Sequence, residues 1–238
     1  MRIHPFIFNW KGQTDNVLHT VHQLEEINFK PVVINSDEEH ARDGWVNTGD
    51  AAFFTRQLLT AFSLFEGDVF FHIQGDAGYH DWASIISRAK ATFEHYQWGI
   101  YAPNVDYTYH TGNRVDILSL QCNDPFLRIV SCTDCTCWFI HADIVKAFTD
   151  LNINLSQNKY GWGLDVLFSA TSFSMERPVL RDYSHTISHP QGTGYAHEAA
   201  TIEMFKLFAS LPVDLQEIIS FIRSDKEQLA PLLMKTRA

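Results

Sequence analysis

The stretch Asp68-Val69-Phe70-Phe71-His72-Ile73-Gln74-Gly75-Asp76-Ala77-Gly78-Tyr79 decides the fold. Val69, Phe70, Phe71 and Ile73 make a short apolar, β-prone run, the pattern of a strand buried on both faces of an α/β sheet. It ends in a polar hook, Gln74-Gly75-Asp76. Gly75 lets the backbone turn sharply or come close to a ligand. Asp76 falls just past the carboxyl end of a central strand, where open α/β sheets place their ligands. A lone carboxylate there suits a hard divalent cation that also holds phosphate oxygens. A strand followed by an ordinary Gly-Asp turn fits the same residues, so the flanking chain has to decide between them.

Upstream, Pro5 to Phe8 reads as a first strand and Asn9-Trp10-Lys11-Gly12 as a loop. Asp15 can cap a helix over Asn16 to Ile27, with Val17, Leu18, Val21 and Leu24 at helical spacing. Pro31-Val32-Val33-Ile34 is a second strand, ended by Asn35-Ser36-Asp37. This βαβ unit implies parallel pairing and a right-handed crossover. His40 to Thr48 reads as a loop, and a helix over Ala51 to Phe65 leads into the quoted strand. A helix over Ala83 to Tyr96 leads out of it to a fourth strand, Gly99 to Pro103. The expectation is an α/β fold with a Rossmann-like half and a mostly parallel central sheet flanked by helices.

Downstream the alternation stops. Ile117 to Leu120, Leu127 to Cys132 and Cys137 to His141 read as strands joined by polar turns, which predicts a smaller mixed or antiparallel part. Short helices over Ala142 to Thr149 and Val166 to Phe173 follow. Then come a late strand at Pro178 to Asp182 and a His- and Gly-rich loop from Ser184 to Tyr195. A helix over His197 to Ala209 and an amphipathic tail over Val213 to Leu233 complete the chain.

The 238 residues are 45% hydrophobic, enough for one sizeable core. Eighteen Phe and six Trp predict a well-filled interior and an aromatic-lined cleft. The net charge of −10 argues against nucleic-acid binding, and no Lys/Arg run offers a polybasic membrane contact. An anionic ligand stays compatible if a metal ion meets its phosphates. The apolar stretch in Met1 to Phe8 is too short for a signal peptide, and no run of about eighteen apolar residues marks a transmembrane helix. The expected location is cytoplasmic. Cys132-Thr133-Asp134-Cys135-Thr136-Cys137, with Cys122, admits a zinc site or reduced structural thiols. The missing second Cys-x-x-Cys pair favours the thiols.

Four pieces in order resemble the GT-A class of glycosyltransferases, which use nucleotide-sugar donors. They are the βαβ opening ending at Asn35-Ser36-Asp37, the Gln74-Gly75-Asp76 hook, the Gly161-Trp162-Gly163-Leu164-Asp165 segment and a later histidine. The resemblance implies one GT-A-like catalytic domain over 1–210, with a nucleotide-binding half over 1–103 and an acceptor-binding half over 104–210. A C-terminal helical appendage over 211–238 follows. It also implies transfer of a hexosyl or related sugar, from UDP or another nucleoside diphosphate, to a carbohydrate, glycan or glycolipid hydroxyl. In that class the hook is an Asp-x-Asp motif that binds Mn²⁺ or Mg²⁺ and the donor diphosphate. Here Gln74 takes the first position, so the resemblance makes Asp76 the metal ligand and leaves Gln74 for sugar or ribose hydroxyls. Asp165 matches the catalytic base of inverting members, and Gly161, Trp162 and Gly163 the acceptor side. An acceptor hydroxyl is a poor nucleophile, and a positioned base must take its proton as it attacks. Asp165 equally suits a helix N-cap. His189 matches the metal or diphosphate contact, with His185 in reserve, and Gly192 to Tyr195 the loop that closes over the donor. Asn9, Trp10, Lys11 and Asp37 match positions that hold the base and ribose, with Asn47, Gly49 and Arg56 nearby. The implied reaction is single displacement with inversion, the metal meeting charge on the leaving diphosphate.

Two other classes fit parts of the sequence. A nucleotidyltransferase shares the Rossmann-like half and a metal-carboxylate site, but prefers a Gly-rich basic loop where Asn9-Trp10-Lys11-Gly12 stands. A sugar- or nucleotide-binding module without turnover is compatible with Gln74 in place of an acid. A dehydrogenase is not, since no Gly-x-Gly-x-x-Gly follows the first strand.

Overall fold

The computed structural model describes residues 1–106, 118–190 and 196–236. Among these, nine strands form one sheet: β1 (Ile3–Asn9), β2 (Val32–Asn35), β3 (Val46–Asn47), β4 (Val69–Gln74), β5 (Ile100–Val105), β6 (Ser119–Gln121), β7 (Leu127–Val130), β8 (Cys137–His141) and β9 (Val179–Ile187). Their order is β3-β2-β1-β4-β8-β5-β9-β7-β6. The helices are α1 (Thr14–Glu26), α2 (Phe54–Leu64), α3 (Trp82–Tyr96), α4 (Ala142–Asp150), α5 (Leu164–Ser174), α6 (His197–Ala209), α7 (Val213–Ser224) and α8 (Lys226–Lys235).

The first half alternates strand and helix as expected, and β1 pairs parallel with both β2 and β4. The fourth strand, however, does not pair with the third. β8 lies between β4 and β5 and is antiparallel to both. Its Cys137-Trp138-Phe139-Ile140 run is buried throughout, so the sheet centre is where it belongs. Phe139 stacks on Phe71 of β4 at 4.0 Å and meets Tyr101 of β5 edge-on at 5.6 Å. Beyond β5 the sheet is mixed, with β9 parallel to β5 and β7 and β6 antiparallel beyond it. The expected loop at His40 to Thr48 holds the two-residue β3, and the strand expected to start at Ile117 is described from Ser119.

Helices cover both faces. On one, α3 seats Trp82 on Phe71, and the Trp82 Nε1–H donates to Gln23 of α1 at 3.0 Å. On the other, Phe54 and Phe62 of α2 meet Phe8, Phe70 and, on α5, Phe168. Asp81 caps α3 by accepting from the Ser84 N–H. The expected cap of α1, Asp15, instead lies within its first turn, because the Val17 N–H already bonds to Gln13 O. α7 packs on α5 and α8 on α7. Leu215, Ile219, Ile222, Leu229 and Leu233 are buried in the same apolar cluster as the sheet. No helix among the described residues is long and apolar enough to cross a membrane.

A buried charge ties α3 to the sheet. Asp182 of β9 is fully buried. Its Oδ2 accepts from Arg88 Nε (2.8 Å) and Tyr101 Oη (2.7 Å), and its Oδ1 from the Ser184 N–H and hydroxyl. Arg88 also donates to Asp124. Burial pushes the Asp182 carboxyl up, but the hydrogen bonds from Ser184, Arg88 and Tyr101 outweigh it and hold it below its ordinary value.

Candidate active site

The parallel strands end along one edge of the sheet, and the candidate residues gather there. Asn9, Asn35, Asn47 and Gln74 are the last residues of β1, β2, β3 and β4. The Gly78-Tyr79 turn after the hook forms a two-way bridge with Ser188, just past β9. That bridge carries His189 to the hook, with its Nε2 3.4 Å from Asp76 Oδ2. The His189 backbone N–H donates to Asp106, the acid just past β5 (2.8 Å). Asp76 Oδ1 is buried and has no hydrogen-bond partner among the described residues. An unsatisfied buried carboxylate oxygen carries a desolvation cost that a bound cation would remove.

His185, the reserve histidine, lies in β9 and not in a loop, because β9 runs on past Asp182 to Ile187 across a register shift at Pro103/Asn104. Its Nδ1 is 2.8 Å from the Tyr79 hydroxyl and its Nε2 3.4 Å from Ser84 Oγ. Both ring nitrogens are thus engaged away from Asp76. The expected closing loop over Gly192 to Tyr195 lies outside the described residues.

The hook has reasons of its own to be Gly-centred. A Cβ at Gly75 would stand 2.5 Å from the Phe8 carbonyl oxygen, so this backbone closes on β1. Asn16 of α1 holds the hook by donating to Gly75 O and Ala77 O. Gln74 is half-buried, and its Nε2 donates to Cys135 Sγ at 3.5 Å.

Asn9 and Asp37 meet through Asn35. The Asn9 amide donates to Asn35 Oδ1 (2.7 Å), and the Asn35 amide donates onward to Asn47 Oδ1 (2.7 Å) and Asp37 O (2.9 Å). Asn9 Oδ1 is buried without a partner. Gln57 of α2 seals this edge by donating to Asn9 O and Ile34 O. The Asp37 carboxylate is buried and accepts from the Glu39 N–H (3.2 Å) and from His40 Nδ1 (2.8 Å). Trp10 packs against the core, while Lys11 is exposed and pairs with Glu39 (2.9 Å). That hydrogen bond raises the Lys11 pKa.

α5 begins after its N-cap, Gly163, which has a φ of 86°. Asp165 is therefore not the cap but the second helical residue, buried, where the positive end of the helix supports its charge. Gly161 (φ 81°) and Gly163 adopt left-handed conformations. A side chain at Gly161 would collide with Phe54, and one at Gly163 with Met204 and Phe208 of α6. Packing thus accounts for both glycines. Trp162 is half-buried and meets His197 edge-on at 5.3 Å.

The segment from Cys132 to Cys137 touches the hook through Cys135 and feels the Asp165 carboxylate at Cys132 and Cys135. None of the four cysteines forms a disulfide. Among the described residues no group of three or more His, Cys, Asp or Glu side chains is placed to hold a metal ion, so the zinc reading has no support here. Burial pushes the Cys132 thiol up, with the Asp165 carboxylate adding to it; burial, then Asp134 and Asp165, do the same to Cys135. His72, fully buried among Phe8, Phe54 and Trp138, donates from Nδ1 to Cys135 O (3.1 Å). Burial pushes its pKa down to about 3. Sequence reasoning passed over Asn16 and Gln57, and read Cys135 only as a structural thiol or zinc candidate. Asn16 and Gln57 lie inside helices and carried no motif. Asp106, an acid just past a strand, was legible by the logic that found Asp76.

No protein-family profile and no curated protein sequence matches this chain. Solved structures do match its fold. S. aureus TarS 1-349 in complex with UDP-GlcNAc is similar at 11% identity and a TM-score of 0.58, covering 99% of this chain and 79% of that one. GalNAc-T7 with UDP, GalNAc and Mn²⁺ is similar at 9% identity and a TM-score of 0.62, covering 100% of this chain and 55% of that one. CMP:2-keto-3-deoxy-manno-octonic acid synthetase complexed with CTP is similar at 8% identity and a TM-score of 0.51, covering 87% and 98%. The chain therefore carries a GT-A-like, Rossmann-like α/β fold, with its candidate residues at the carboxyl edge of the parallel strands.

Proposed function

We propose that this protein is a glycosyltransferase that moves a sugar from a nucleoside-diphosphate donor to an acceptor hydroxyl, with inversion. The observation that carries the reading is the Asp76–His189 pair, with its unsatisfied buried Asp76 oxygen, at the strand edge where α/β sheets bind ligands. The likeness to structures with UDP-GlcNAc and with UDP, GalNAc and Mn²⁺ supports it. A carboxylate oxygen and an imidazole nitrogen are fitting donors for Mn²⁺ or Mg²⁺, and such ions complete their shell with substrate phosphates. Asp76 and His189 would hold the cation, which supplies positive charge to the departing diphosphate.

The remaining steps belong to side chains. Asp165 takes the acceptor proton as the hydroxyl attacks the anomeric carbon. Trp162 offers the acceptor a face, beside Gly161 and Gly163. Asn9, Trp10, Lys11 and Asp37 bind the nucleoside, Asp37 by exchanging its contact with His40 for the base. Gln74 and Gly75 line the donor side. In this reading 1–103 forms the nucleotide half, 104–210 the acceptor half and 211–238 the helical end of one domain.

The likeness to the CTP-bound synthetase favours a second reading, nucleotidyl transfer. Thermal shift separates them. UDP, GDP, CMP, CTP and UDP-sugars are tested with and without Mn²⁺, for the wild type and Asp76→Ala. A ligand at 100 times its Kd stabilises by about 2.7 kcal/mol. The expected result is stabilisation by a nucleoside diphosphate and its sugar, dependent on Mn²⁺ and lost in Asp76→Ala. Stabilisation by a triphosphate alone would move the assignment to nucleotidyl transfer. No shift with any nucleotide would end the transferase reading.

A further inference from the structure

We propose that Cys135 is a positioning residue for the donor: its sulfur holds the Gln74 amide by Nε2, so that Oε1 is the atom offered to a hydroxyl of the nucleotide-sugar. The inference rests on the transferase reading and extends it to a residue outside any motif. A primary amide has one donor end and one acceptor end. Fixing one end decides what the other recognises. Gln74 Nε2 donates to Cys135 Sγ. Among the described residues Gln74 Oε1 has no hydrogen-bond partner, and it is not one of the buried unsatisfied atoms of this half-buried residue, so solvent reaches it. An amide oxygen accepts a hydroxyl proton as a carboxylate oxygen does.

Cys135 is itself held in place. Its carbonyl accepts from His72, a ring locked between Phe8 and Phe54. Asp134 closes the turn by accepting from the Thr136 N–H (2.8 Å) and hydroxyl (2.5 Å). The Gln74 N–H donates to Thr136 O at 2.9 Å, which fixes the register of hook against loop. With burial and two carboxylates raising its pKa, the sulfur stays a neutral thiol across the working pH range.

The test is calorimetric titration, in Mn²⁺, of UDP, GDP and CMP and of UDP-GlcNAc, GDP-mannose and CMP-sialic acid, against the full chain and four variants. Cys135→Val removes the sulfur, and Cys135→Ser keeps an acceptor. Gln74→Met removes the amide, and Gln74→Glu keeps an acceptor. Losing one hydrogen bond of ordinary strength weakens binding roughly three- to tenfold. Cys135→Val and Gln74→Met are expected to lose that much for the nucleotide-sugar that binds, while Cys135→Ser and Gln74→Glu stay within about twofold. Loss confined to the nucleotide-sugar assigns the hydroxyl to the transferred sugar, and equal loss for the free nucleotide assigns it to the ribose; either supports the proposal. Wild-type affinity in Cys135→Val overturns it, as does a Gln74→Glu that binds as weakly as Gln74→Met, which would put the donor end toward the ligand. Should Cys135→Val melt early, the two Gln74 variants still decide. A wild type that binds no nucleotide overturns the transferase reading itself, before any variant is compared.

Discussion

Asp165 sits in the first turn of α5, near the helix's positive end. Asp165→Asn preserves the shape and removes the proposed base. Its kcat is expected to fall roughly 10²- to 10⁴-fold, with donor binding and melting temperature little changed; a loss of donor binding instead would take the residue out of the base role. Asp182 is the contrasting carboxylate, buried for structure. Asp182→Ala leaves Arg88 with one of its two acids and Tyr101 with no acceptor, and is expected to cost about 3–5 kcal/mol in urea unfolding. Its depressed pKa fixes the pH window. The stabilisation is complete above the unfolded value near 3.9 and is lost as pH falls through the lower folded value. Gly75→Ala sets a methyl against the Phe8 carbonyl and should cost about 1–3 kcal/mol. Unchanged stability there would mean the hook is looser than its contacts indicate.

The elements that were legible in sequence are those whose periodicity reports burial. The run Val69 to Ile73 declared β4, and the apolar stripe from Ile85 to Phe93 declared α3, because alternation and the 3.6-residue period follow directly from which side chains leave water. Periodicity says that a strand is buried but not which strand it lies beside. The Cys137-Trp138-Phe139-Ile140 run was therefore read as a strand, and its insertion between β4 and β5 was not. The carboxyl-edge position of Asp76 was legible because strand polarity fixes it. The contact from His189 depends on a bridge between Gly78 and Ser188, more than a hundred residues apart, to which no local pattern points. The packing around Trp162 was not legible for a similar reason, since the side chains that Gly161 and Gly163 avoid, Phe54, Met204 and Phe208, come from other helices. The tail shows the same dependence on partners. Ile219 of α7 is buried in the main apolar cluster, and Ile219→Ala is expected to cost about 2–5 kcal/mol by urea unfolding. A wild-type value would make α7 and α8 an appendage rather than part of the core.

Across the described residues of the molecule, three histidines share one direction of shift. Burial lowers the pKa of His72 to about 3 and depresses those of His4 and His141. Each is kept neutral by the fold, whereas the unfolded chain takes up protons below about pH 6.5. Stability is therefore complete above that pH and falls as pH drops through the window between 6.5 and the folded values, by up to about 1.4 kcal/mol per pH unit for the fully buried His72. Urea unfolding at pH 7.5, 6 and 5 is expected to show this slope, and His72→Asn to flatten it; a flat wild-type profile would mean that the histidine pocket admits water. The late central strand has a consequence for biosynthesis. Until residues 137–141 have left the ribosome, β4 and β5 each present an unpaired edge, and the sheet of the first hundred residues cannot close. Such long-range pairing is slow to form. The nascent protein must pass through an open-edged stage that invites chaperones, and a gene cut after residue 106 would encode a sticky fragment with the edges that β8 covers left unpaired.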